Sequence, residues 1–516
     1  GREYRDAWVI LMDQPFSPLV KELFEAQQWP DLRATPNGTP QRPYDVAGWT
    51  LPLQMGVEVA SVLTPVTEAQ RAGLRPGTAV TLPAGGVQGT GAVYSVSRDS
   101  NAAFRLVNQA HAAGATAAVS KSDIVLAGER VPELARASSL TLKALAKTPA
   151  DALTLKKARV GLYRSWQPMI DEGWTRWILE DFAFAPITLR NGDVRAGHLR
   201  ERLDVILLPD SSQRSMLEGY AAGALPGEFT GGLGEPGVAA LRDFVRDGGT
   251  LIAFNDASLF AIDQFHLPVT NVLAGLTAEQ FYCSGSLLQV ELRDPAHPAV
   301  AGLPREPIVM FEQGPAFDTK SGFKGNILAS YSKDSNPLAS GYLLHPERLQ
   351  GKAAALEVFY GEGRVYLFGF RPQWRGQSHG TYKFFFNAIY NSPALSKSTA
   401  APRAAVAPAK TPDAWSALTA PVLADLGALL PLNRAFFAAR GPAAMEARTK
   451  LNAAVDAFEK DRIQAVQDTA LALDEASRKK AAELVKAMRR AAADLRSKEL
   501  EASLDAAGLA ERYGIE

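Results

Sequence analysis

"GGTLIAFNDASLF", residues 248–260, decides how the rest of the chain is read. Two glycines close a helix, Thr-Leu-Ile-Ala-Phe is an apolar run of strand length, and the small residues that follow open a second helix. In several α/β enzyme classes a turn of this kind carries a Ser or Cys nucleophile. Here its tip is Asn255-Asp256. The residue types preserve a turn and omit the nucleophile.

The flanking sequence supports an α/β reading. "ARVGLYRS" (158–165) and "RLDVILLPD" (202–210) are strands, the second apolar throughout as in a parallel sheet buried on both faces. "MIDEGWTRWILEDF" (169–182) is an amphipathic helix expected to present Trp174, Trp177 and Ile178 on one face. "EPGVAALRDFVRDGG" (235–249) is the helix before the turn. Alternating strands and helices predict a doubly wound, mainly parallel sheet with ligand-facing loops at the strand C-termini. "LLQVEL", "PIVMF", "NILASY" and "AAALEVFYGEGRVYLFGF" are expected to extend it with antiparallel strands, and "GTYKFFFNAIYN" (380–391) closes it as a helix.

Towards the N-terminus, "AWVILM" (7–12), "VEVASVL" (57–63) and "TAVTLP" (78–83) read as strands. "SPLVKELFEAQ" (17–27) and "SNAAFRLVNQAHAAG" (100–114) read as helices, and "TAAVSKSDIVLAG" as a returning strand. The long Pro/Gly-rich stretch 34–56 holds Tyr44, Trp49, Leu51 and Met55, which are expected to pack it down. The domain reading is a small α/β domain over 1–155, the elbow domain over 156–392, an Ala/Pro-rich linker over 393–412, and a helical hairpin or bundle over 413–516.

Composition bounds the function. Of 516 residues, 47% are apolar and 21% charged, and 55 Lys plus Arg balance 55 Asp plus Glu. Nothing pulls the chain as a whole towards nucleic acid or an anionic membrane, and no apolar run spans a bilayer. The lone Cys283 excludes an internal disulfide and a Cys-rich zinc site. No leader precedes "GREYRDAWVIL", so the chain is expected to be cut from a longer protein whose chemistry lies upstream.

The elbow, the strand "DVILLPD" and the double glycine resemble the class I glutamine amidotransferase-like fold. That family uses an elbow Cys activated by a His two residues before a Glu in a late strand-to-helix turn. In this chain Asn255 stands at the Cys position, and Arg371-Pro372-Gln373 stands where His-Pro-Glu would be. Asn is no nucleophile, and Arg accepts no proton near neutral pH. His345-Pro346-Glu347 copies the missing triplet, but it precedes a loop and a strand instead of a helix. Cys283 reads as a buried structural thiol.

His198-Leu199-Arg200-Glu201 has the His-x-x-Glu spacing of carboxypeptidase A-like zinc ligands, with His297, His345 or His379 as a third donor. It runs straight into a core strand, and a surface His is the better reading.

A longer resemblance is carried by "RPYDVAGWTLPLQMGVEV", "VGLYRSWQPMIDEGWTRWILEDF", "GGLGEPGVAALRDFVRDGGTLIA", "LPVTNVLAG" and "GFRPQWRGQSHGTYKFFFNAIY". Residues 3–392 resemble the non-catalytic C-terminal half of large bacterial zinc carboxypeptidases of the carboxypeptidase A-like family. The resemblance implies an extracytoplasmic protein, periplasmic or secreted, with its zinc in an upstream peptidase domain and no cofactor in this chain. Asn255, Asp256, Arg371, Gln373 and Trp374 are expected to converge with Arg164, Trp166 and Asp210 in a degenerate cleft. A peptide carboxylate or a cell-wall glycan is the expected ligand. The stretch 296–304, "AHPAVAGLP", resembles a segment of amidotransferase-like domains that form trimer contacts, which keeps homo-oligomerisation as the alternative function. A hydrolase with a noncanonical site is the remaining one.

Overall fold

A computed structural model describes residues 7–36, 38–75, 77, 84–120, 123–392, 414–439, 442–463, 465–466, 475–497, 500 and 512–513. The linker 393–412 and the strand expected at 78–83 lie outside the described residues. Two compact units divide the chain, residues 1–398 and 399–516.

The first unit is mixed α/β with parallel and antiparallel strands. Its centre is a ten-stranded sheet. We label its main elements β1 (Val160–Tyr163), α1 (Ile170–Asp181), β2 (Ile187–Leu189), β3 (Val205–Leu208), α2 (Gly234–Arg246), β4 (Thr250–Phe254), α3 (Asp256–Gln264), β5 (Ala353–Tyr360), β6 (Gly363–Phe368) and α4 (Tyr382–Tyr390). In space the order is β2-β1-β3-β4-β6, all parallel, and β5 then joins β6 antiparallel. The three strands read nearest 160, 205 and 251 therefore lie in one sheet. Beyond β5 every pairing is antiparallel, so half the sheet departs from the mainly parallel expectation.

The uniform apolar strands are explained by burial on both faces. In β3, Val205 and Leu207 join the core containing Ile178, Leu179 and Phe384–Phe386, on the side of α1 and α4. Ile206 and Leu208 join the other core, with Val238, Leu241, Phe244 and Phe260 of α2 and α3. This is the two-residue period of a strand with helices on both sides. Helix α2 ends where Gly248 turns to φ 94°, a conformation that costs glycine least.

Several local expectations are corrected. In α1 the buried residues are Glu172, Thr175, Ile178 and Leu179, whereas Trp174 and Trp177 are 36% and 53% exposed. Glu172 can be buried because Arg176 pairs with it at 2.5 Å. "LLQVEL" and "PIVMF" contribute mainly to a separate three-stranded sheet made by Ser284–Gln289, Ile308–Glu312 and Leu338–Ser340. Among the described residues, 7–12 and 57–63 belong to no strand. The 34–56 stretch is not packed down throughout. Tyr44 is 98% exposed, whereas Trp49 bonds the carbonyl of Glu22 through its indole.

Residues 86–155 form a six-stranded sheet of their own, in which Thr116–Ser120 and Asp123–Ala127 are two antiparallel strands where one was expected. Helix Ala102–Ala112 seats Phe104 against Phe386 and Tyr390 at centroid distances of 5.2 and 5.4 Å, inside the same core as α4. The second unit is helical over Ala414–Ala438, Pro442–Ala457 and Glu475–Ser497. Its core is formed by Val422, Leu426, Leu451, Val455, Leu484, Met488 and Leu495. No described helix is long and apolar enough to cross a membrane.

Candidate functional site

Four parallel strands deliver side chains to one end of the sheet. Asp171 opens α1 after β1, Asp210 follows β3, Asn255 follows β4, and Arg371 follows β6. Ligand-facing groups of such a sheet collect at these C-terminal ends.

Asn255 holds φ 48° and ψ −120°. This is not the left-handed helical region that Asn tolerates, where ψ is positive, but a more strained region that favours glycine. The turn is held in place by its neighbours. The Asn255 N–H donates to the Phe368 carbonyl at 2.8 Å, and its Nδ2 donates to Asp210 Oδ1 at 3.2 Å. Asp256 N–H donates to the same oxygen at 2.9 Å. Ser258 Oγ reaches the carbonyls of Ala253 and Phe368 and so fastens α3 to both strands. The Asn255 side chain is 2% exposed, and its Oδ1 has no partner. Gly314 presses on it, since a Cβ there would stand 2.4 Å from Asn255 Oδ1 and 2.4 Å from the Gly369 carbonyl.

Arg371 is caged by carboxylates. Its Nη2 donates to Asp210 Oδ2 at 2.6 Å and its Nη1 to Glu312 Oε2 at 2.7 Å, while Asp171 stands 3.9 Å away. Trp374 Nε1 donates to Glu312 Oε2 at 3.0 Å, and Gln373 Nε2 to Asp171 Oδ1 at 2.7 Å. Desolvation works against the Arg371 charge, but Asp210, Asp171 and Glu312 outweigh it and hold its pKa above the ordinary value. Burial pushes the Asp171 carboxyl up to about 6; Asp210 and Glu312 add to the rise, and Arg371 opposes it. Burial also raises Asp256 to about 6, with Asp210 adding to the effect.

Beside this network lies an open cleft of about 440 Å³. Asp171, Asp210, Glu312 and Arg371 form its polar side, with Ser211, Ser212 and Ser215. Met169, Ile170, Trp174, Trp374 and Arg375 complete it.

Six of the eight residues expected from the sequence fall into this bonded network: Asp210, Asn255, Asp256, Arg371, Gln373 and Trp374. Arg164 and Trp166 do not line the cleft. Arg164 faces Glu172 at 3.7 Å, and Trp166 is covered by Arg190 at 3.9 Å and by Phe229 at 4.8 Å. The end of β1 turns them away. Asp171 and Glu312 were not foreseen. Asp171 was legible only as an acidic residue in the first turn of a helix, and Glu312 comes from a different sheet.

The remaining motifs stay separate. His198 is exposed and pairs with Glu201 at 2.9 Å, and His345 pairs with Glu347 at 2.9 Å on a surface turn. Among the described residues no three His, Cys, Asp or Glu are disposed to hold a metal ion. His379 stacks on Tyr382 at 4.9 Å. Cys283 is fully buried, which pushes its thiol up to about 12, away from reactivity. The 296–304 stretch turns inward: Ala299 and Val300 are buried, and His297 Nε2 lies 3.2 Å from the buried Glu357.

No family model and no curated protein matches the chain. Solved structures similar to it include a ThuA-like protein from Bacteroides uniformis, at 12% identity and TM-score 0.28, covering 48% of this chain and 100% of that one. A GMP synthase-like protein from Thermoplasma acidophilum gives 12% identity and TM-score 0.29, over 45% of this chain and 92% of that one. A β-galactosidase from Bacillus circulans gives 10% identity and TM-score 0.27, and the chain spans 30% of its length. Likenesses at these scores carry no argument about function.

Proposed function

We propose that the first unit is a non-catalytic binding module built on an amidotransferase-like scaffold that has lost its Cys-His-Glu triad. One observation carries this reading. The amide at the elbow and the guanidinium at the late turn are tied to the same carboxylate, Asp210. A nucleophile and a base must face a substrate, whereas these two groups are spent on each other's partner. The parallel order β1-β3-β4-β6 and the elbow backbone support the scaffold.

The test is hydrolysis of glutamine and of short peptides by the full chain. None is expected, and Asn255→Cys is expected to create none, because Arg371 and Gln373 supply no base. Turnover that disappears when Asn255 is replaced would overturn the reading.

The wider proposal is that this module is the accessory region of a secreted bacterial zinc carboxypeptidase and positions it on peptide or cell-wall material. Support for it is the sequence resemblance over 3–392. Zinc would belong to the upstream peptidase domain, and the described donors of this chain do not fit it. The reading frame that encodes the chain is the test: an in-frame zinc peptidase domain upstream is expected, and its absence would sink the proposal.

A further inference from the structure

We propose that the cleft beside the elbow binds a primary ammonium carried on an aliphatic chain. The inference rests on the non-catalytic reading of the same site and names the ligand class.

The argument begins with which polar groups remain unspent. Arg371 has committed both terminal nitrogens, to Asp210 and Glu312, and its Nε is buried. An incoming carboxylate or phosphate would meet these two carboxylates beside the guanidinium. The groups left over are acceptors. Among the described residues no hydrogen bond reaches Glu312 Oε1, because Arg371 and Trp374 both use Oε2. Asp171 Oδ2 has only the distant Arg371, at 3.9 Å.

The charge balance points the same way. Asp171, Asp210 and Glu312 face one caged guanidinium, and Arg375 stands over the Trp374 ring at 4.6 Å. Along the cleft three carboxylates, Asp171, Asp210 and Glu312, stand against two guanidiniums, Arg371 and Arg375. An ammonium donates three hydrogen bonds and accepts none, which matches a wall of unused acceptors. Met169, Ile170 and the part-exposed Trp174 offer the apolar side that methylenes need. A metal ion fits less well, because Arg371 occupies the centre of the carboxylates and no three described donors converge.

The probe is 1,5-diaminopentane, titrated into the full chain by calorimetry at pH 8 and pH 5, with 1,5-pentanediol as the neutral equivalent. The diamine is expected to bind at pH 8 with a dissociation constant on the order of 0.1–1 mM, the range suited to a ligand of this size. Affinity should fall at least fivefold at pH 5, where Asp171 takes up a proton beside Asp210, Glu312, Arg371 and Arg375. Glu312→Gln and Asp171→Asn should each weaken binding about tenfold, a factor that corresponds to one lost charge-assisted contact. Thermal melts of both variants check that they fold, and either folded variant alone suffices. Nα-acetyl-lysine methylamide and glucosamine identify the source: the tighter of the two marks a peptide or a glycan ligand. Pentanediol or N-acetylglucosamine binding as well as the diamine would overturn the inference, as would diamine binding that ignores both substitutions, or no diamine binding at all. Hydrolysis at the site would instead overturn the non-catalytic reading, so the two failures are distinguishable.

Discussion

At the scale of the residue, Asn255 keeps a turn whose backbone glycine would adopt at less cost. Its side chain contributes one bond to Asp210 and leaves Oδ1 unpaired. Asn255→Ala is expected to lose about 1 kcal/mol or more, from the broken bond and an alanine held at φ 48°. Asn255→Gly should be the more stable of the two by about 1 kcal/mol, because glycine accepts this backbone. Urea denaturation of the pair checks the order, and equal midpoints would mean that the turn is not strained. Asp171 makes a prediction in pH. Its carboxyl is raised from 3.8 to about 6 on folding. A raised carboxyl contributes stability below its unfolded value and loses it as pH rises through 6. Asp171→Asn should therefore stabilise the fold at pH 8, by about 1–3 kcal/mol, and change little at pH 3.5. Melting temperatures across that range test the sign.

At the scale of the element, loops from different strands are pressed together with no room for a methyl group. Gly314→Ala would place a Cβ 2.4 Å from a backbone carbonyl. It is expected to destabilise by about 1–3 kcal/mol, as overpacking does. Strand β5 carries the buried Glu357, which desolvation alone would raise. His297, Tyr366, Asn326 and Arg364 outweigh that and hold it down at about 2 against an ordinary 4.5. Tyr366 donates to it at 2.6 Å and Arg364 at 3.0 Å. A depressed carboxyl contributes stability above pH 4.5 that is lost as pH falls towards 2. Glu357→Gln should remove on the order of 3 kcal/mol at pH 7 and flatten the acid limb of the stability curve. Chemical denaturation at pH 3 and pH 7 measures both effects.

At the scale of the whole molecule, each unit has its own apolar core. Residues 1–398 expressed alone are therefore expected to fold and to unfold cooperatively. A molten or aggregated product, judged by near-ultraviolet circular dichroism, would contradict this. Within the first unit the small sheet and the central sheet share one core through Phe104, Phe386 and Tyr390. Phe104→Ala should accordingly weaken the whole unit by about 3–5 kcal/mol in a single transition.

Local pattern alone determined the strands at β1, β3 and β4, the helices after them, and the placing of Asn255 at a turn. A fully buried parallel strand must be apolar at every position, and a helix must stop where glycine takes a positive φ. That the elbow carries Asn and the late turn Arg was legible too, and neither residue type is a nucleophile or a base near neutral pH. Tertiary structure decided the rest. Whether Trp174 faced the core depended on Arg176 neutralising Glu172 beneath it. "LLQVEL" and "PIVMF" are strands by pattern, but their partners are set by contacts distant in sequence. Residues 7–12 and 57–63 have strand composition, yet they belong to no strand among the described residues. The cleft was the least legible feature. Glu312, contributed by another sheet, and Asp171 set its charge, so that the cleft expected to take a peptide carboxylate or a glycan is lined by three carboxylates. Spacing along a chain encodes the period of an element, whereas charge balance in a cleft depends on which distant segments meet there.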